Sequence, residues 1–182
     1  MSEFQIPHIT EQMLASRALV SGARNASEGM DKFVHWVLAG FAAGITYLLG
    51  QSQIPFATLR PVASLFLVAA LIGVLQRYLA MIVGIGATSF QEGEKLHDNK
   101  TPVDVARFFI IYIQALPTLN RWAGAWAAKR FIEGNLTAAA KGIFNMAVIQ
   151  CFLGFVCTLI LLVGFYHAID NIGALAPSVH CP

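Results

Sequence analysis

The chain has 182 residues, 57% hydrophobic and 12% charged, with a formal net charge of +2. A charged fraction about half that of a soluble globular domain points to lipid as the main solvent. The small net charge, with no Lys/Arg-rich run and no paired aromatic platform, argues against a nucleic-acid partner.

Cys151 and Cys157 lie inside an apolar run and Cys181 is the penultimate residue, a spacing that offers neither a disulfide framework nor a zinc site. The first thirty residues carry Glu3, Glu11 and Glu28 and lack an apolar core after a basic start. No cleavable signal peptide is expected, and the first membrane helix directs insertion itself.

Residues 1–32 form an expected cytoplasmic N-terminal segment. A polar tail through Pro7 leads into a weakly amphipathic stretch, 9–28, in which Met13, Leu14, Ala18, Leu19 and Val20 alternate with Glu11, Arg17 and Arg24. Gly29 is expected to end that stretch, because glycine takes the left-handed conformation after a helix at the lowest steric cost. The first transmembrane helix is predicted over 33–50, behind Asp31 and Lys32, with His35 and Trp36 at one end and Tyr47 near the other. Those aromatics fall where headgroups lie.

A short connection, 51–61, holds Pro55 and Arg60. The second span, 62–90, is an apolar run of about 29 residues, or about 43 Å of helix against a hydrocarbon core of about 30 Å. Its strongly polar members are Gln76 and Arg77, at the middle. A central arginine costs about 2.5 to 3.5 kcal/mol on insertion scales, so it calls for a carboxylate, backbone carbonyls, lipid phosphate or water. No Asp or Glu lies inside the predicted spans. Three explanations stand: pairing with an acid from another copy, another subunit or a cytoplasmic loop folding back; snorkelling to the interface while residues 62–75 do the spanning; or an anion or lipid site.

Residues 91–142 read as a basic cytoplasmic or interfacial helical segment. Thr101-Pro102-Val103-Asp104 resembles a capping box with Pro at the first helical position, so a helix is expected to run to Leu116, ahead of Pro117. Its apolar block is about a dozen residues long, which suits an interfacial or partner-covered helix better than a span. A fourth span over 108–128 would bury Gln114, Asn120 and Arg121 around Pro117 and is disfavoured on the same central-charge argument. In 120–133, Trp122, Trp126 and Lys129 share one helical face, an arrangement suited to a membrane surface. Gly134 and Asn135 then act as helix stop and N-cap. The last helix covers 136–169, its membrane-spanning part 143–169, and a tail of 170–182 without Lys or Arg closes the chain.

The basic residues fix an expected orientation. Placing 1–32 and 91–142 inside and 51–61 and 170–182 outside leaves only Arg60 external and Arg77 in the membrane. The N-terminus is therefore expected in the cytoplasm and the C-terminus outside, in a bacterial inner membrane.

Two patterns point to packing. Gly40-x-x-x-Gly44 and Ala80-x-x-x-Gly84 bring small residues to one helix face, where backbones approach closely, chiefly within the bundle itself. A short recurrence, Ala23-x-x-Ala26-x-Glu28-Gly29, Ala87-x-x-Phe90-x-Glu92-Gly93 and Ala128-x-x-Phe131-x-Glu133-Gly134, reads as three generic helix ends.

Catalytic and cofactor readings find no support. His35 and His167 sit at opposite ends of their spans, too far apart to hold one haem, and the Gly84–Ser89 run lacks the lysine and the strand of a phosphate loop. No enzyme, cofactor or metal is expected.

The expected fold is all-α and polytopic: three transmembrane helices with cytoplasmic amphipathic or interfacial helices. Three spans make a thin bundle, and the additional helices carry apolar faces they cannot bury locally. A non-catalytic structural or assembly subunit of a larger membrane complex follows, with lipid and other subunits or copies of itself as partners. The layout, including the Arg130-Phe131-Ile132-Glu133-Gly134-Asn135 turn before the last span, resembles small inner-membrane components of conjugation and type IV secretion systems. That resemblance implies a role in building or gating a secretion channel and implies no catalytic residue. The alternatives are a homo-oligomeric channel or transporter with Arg77 in its pathway, and an accessory anchor of a respiratory enzyme complex.

Overall fold

The computed structural model describes residues 9–50, 56–98, 105–115, 118, 121–133 and 135–175. Among them are five α-helices and no strand: α1 (Ile9–Leu49), α2 (Phe56–Asp98), α3 (Val105–Ala115), α4 (Arg121–Ile132) and α5 (Leu136–Leu175). Within α1, α2 and α5, the stretches Met13–Leu49, Leu59–Glu94 and Thr137–Asp170 are each long and apolar enough to cross a membrane. A continuous helix satisfies every backbone group internally, which is what a hydrocarbon solvent demands.

The expected break at Gly29 is absent. α1 runs through Gly29, and α2 likewise runs through Gly93. Glycine lowers helix stability by about 1 kcal/mol but does not by itself end a helix whose neighbours are packed. α2 also begins earlier than the expected span, at Phe56, with Pro61 in its second turn, where a single ladder bond is lost. Of the three recurrences only the last coincides with a helix end, where Glu133 N donates to Lys129 O and Asn135 N to Arg130 O. The first two instead place Ala23 and Ala87 in a shared core. The proposed cap Thr101–Asp104 lies outside the described residues. Asn135 does cap α5, its Oδ1 accepting from Ala138 N at 3.0 Å.

The chain forms two compact units. Unit 1 comprises Met1–Glu28 and Tyr78–Gln150. Its core joins Val20 and Ala23 of α1, Val83, Ala87 and Phe90 of α2, and Ala140, Ile143 and Ala147 of α5. Four alanines among eight core residues let these helices approach closely. Gln150 Nε2 donates to Ser27 O at 3.0 Å, and both residues are buried. The short helices α3 and α4 pack on each other. The Tyr112 hydroxyl shares a hydrogen bond with Ser89 Oγ, fixing α3 to α2, and the Trp126 ring of α4 occupies the space that a side chain at Gly142 would need.

Unit 2 comprises Gly29–Arg77 and Cys151–Pro182. Its core is Val34, Ala69, Cys157 and Leu161, flanked by Met30, Phe41, Phe66 and Ile72. Phe41 and Phe165 meet edge to face, with centroids 6.0 Å apart. The Cys157 thiol lies 3.3 Å from Ala69 O.

Candidate functional site

The polar pair at the centre of α2 divides between two environments. Gln76 is 1% exposed and its Nε2 finds no hydrogen-bond partner among the described residues, whereas Arg77 is exposed. Successive helical residues point about 100° apart, so one side chain turns in and the other out. Unit 2 ends at Arg77 on α2, and its stretches of α1, α2 and α5, 29–49, 56–77 and 151–175, are about 32 to 38 Å long, enough to cross a hydrocarbon core of about 30 Å.

The glycines that let helices approach are not the ones the spacing singles out. A Cβ added at Gly40, Gly44 or Gly84 would meet nothing within 4 Å. One at Gly154 would lie 2.7 Å from Met30 Sδ and 3.1 Å from Val34 Cγ2, one at Gly73 2.7 Å from Leu38 Cδ1, and one at Gly86 3.1 Å from Ile143 Cγ1. The close approaches are at Gly73 and Gly154 in unit 2 and at Gly86 and Gly142 in unit 1. Gly40 and Gly44 instead line an open apolar groove of about 550 Å³ on unit 2, walled by Trp36, Phe41, Tyr47 and Phe165. Trp36 is 75% exposed at its edge.

Trp122, Trp126 and Lys129 are exposed on α4. The two tryptophans also form one wall of a cleft of about 320 Å³ in unit 1, opposite Ile82 and Val83 of α2 and Asn145, Met146 and Ile149 of α5.

Two buried polar arrangements escape the sequence analysis. Glu94, with its side chain 8% exposed, sits with Oε1 2.6 Å from Arg17 Nε, an ion pair out of line for a hydrogen bond. Nothing in the local sequence links residues 17 and 94. Gln150 was legible in principle, as the amide interrupting an otherwise apolar run before Cys151. Among the described residues no three His, Cys, Asp or Glu side chains come together in a way that could hold a metal ion. His35 and His167 are both exposed.

Compared with known protein families, with characterised proteins and with solved structures, the chain matches none. Fold and site define a class: an all-helical protein with three helices long and apolar enough to cross a membrane, plus two shorter helices.

Proposed function

We propose that the chain is a non-catalytic structural or assembly subunit of a larger membrane complex, set in a bacterial inner membrane with its N-terminus in the cytoplasm. The observation that carries this reading is apolar surface left open beyond what a single thin bundle needs. In unit 1, Ile110, Ile111, Phe144 and Val148 are exposed alongside the ion pairs and charged side chains of a polar environment. In unit 2, the Gly40/Gly44 groove offers a backbone-deep surface of the kind on which membrane helices associate. The layout makes a conjugation or type IV secretion channel the first complex to examine.

The test is the native mass of the protein extracted from its own membranes in mild detergent, with the co-purifying chains identified. A defined hetero-complex supports the reading; a monomer or homo-oligomer without partners overturns it. Arg77→Gln separates it from a channel. In a subunit the change weakens co-assembly, whereas in a pore it abolishes conduction and leaves assembly intact.

A further inference from the structure

The cleft of unit 1 is lined mostly by apolar side chains. Its walls are the Trp122 and Trp126 rings, Ile82, Met146 and Ile149, with Asn145 the polar residue among them. Lys129 stands one turn beyond Trp126 on α4, and Lys141 one turn before Asn145 on α5. Lys129 lies in the last turn of α4 and Lys141 in the second turn of α5, so both stand toward the junction of the two helices. Both are exposed, and neither is paired with a carboxylate among the described residues. No acidic residue occurs between Asp104 and Glu133, a stretch that holds Arg107, Arg121, Lys129 and Arg130. From the lysine end the cleft runs along α5 toward Ile149, and α5 continues from there into the apolar run that starts at Cys151.

We propose that this cleft is a binding site for an anionic phospholipid of the leaflet facing unit 1. The headgroup phosphate meets Lys129 and Lys141, and one acyl chain lies between the tryptophan rings and the Ile82, Met146 and Ile149 side chains. The polarity is that of the lipid itself: charge at the end away from the apolar run of α5, hydrocarbon toward it. A volume of about 320 Å³ is at the lower end of small-ligand pockets and takes part of one chain. Charge complementarity selects the occupant. A zwitterionic headgroup brings its own ammonium beside the two lysines and has no net charge to offset theirs, whereas each lysine near an anionic surface raises occupancy about fivefold. The proposal rests on the membrane reading and not on the identity of any partner subunit.

The experiment uses the full chain in phosphatidylcholine nanodiscs, with Trp36→Phe so that only Trp122 and Trp126 emit. Phosphatidylglycerol or phosphatidylcholine carrying bromine on the acyl chain is added at matched mole fractions, and quenching is recorded. The expected result is quenching by the brominated phosphatidylglycerol at about a 25-fold lower mole fraction, with that preference lost in K129Q/K141Q. Unchanged helix content by circular dichroism shows that the double variant, altered only at exposed positions, is folded. Equal quenching by the two lipids, or a preference that survives K129Q/K141Q, overturns the proposal. Quenching by neither overturns it too. Co-purifying chains are read separately, so failure of the lipid site leaves the subunit reading standing.

Discussion

Units 1 and 2 draw on the same three long helices and hold together by different means. Unit 2 has a small core of Val34, Ala69, Cys157 and Leu161 and close approaches at Gly73 and Gly154. Unit 1 has an alanine-rich core, the ion pairs Arg17–Glu94, Arg24–Glu28 and Arg130–Glu133, and a helix cap at Asn135. Helices in lipid gain little from hiding apolar surface and associate through fit. Ion pairs and caps are devices of water and headgroups, where exposed backbone and charge are tolerated. Such a difference is what a change of solvent along one unbroken helix would produce.

The largest expected effect lies in the core of unit 2. Leu161→Ala removes a side chain that is nearly fully buried and should lower stability by about 2–5 kcal/mol, read as an earlier unfolding transition in detergent. Next, Gly154→Val sets a branched side chain against Met30 and Val34 and should cost about 1–3 kcal/mol. Gly40→Val, which meets nothing, should leave the transition where it is and reduce only recovery of partner chains. Equal destabilisation by the two glycine variants would show that fit is not what distinguishes Gly154.

In unit 1, Arg17→Met leaves the buried Glu94 carboxylate without its cation. With Arg17 half exposed to solvent, the loss is about 1–2 kcal/mol. Replacing the acid instead, as Glu94→Gln, should cost less, because no buried charge is stranded. The order of the two transitions checks this. The smallest change is Asn135→Ala, about 1 kcal/mol from a lost cap at the start of α5, seen as faster amide exchange at Ala138.

Much of the architecture was legible in the residues. The apolar runs led to the three long helices, and Pro117, Asn120 and Asn135 bracketed α4 and the start of α5. What failed was local punctuation: Gly29 and Gly93 carry the same signal as Gly134, and only the surrounding packing decides whether a chain turns there. The small-residue pairs failed for a related reason. Spacing puts Gly40 and Gly44 on one face but does not say which way that face turns, and the helices meet on the faces of Gly73 and Gly154 instead. The site was legible in part. Trp122, Trp126 and Lys129 could be grouped from α4 alone, but their opposing wall of Ile82, Met146 and Ile149 comes from two other helices. Arg17 and Glu94, far apart in sequence, meet only through the fold.

The Cys157 thiol, aimed at Ala69 O across two helices of unit 2, carries one more consequence. The S–H stretch absorbs in an infrared window where other protein groups are silent, and its frequency falls as the hydrogen bond strengthens. The chain thus contains its own vibrational gauge of the spacing between α2 and α5, read in the purified protein as the band lost in Cys157→Ala.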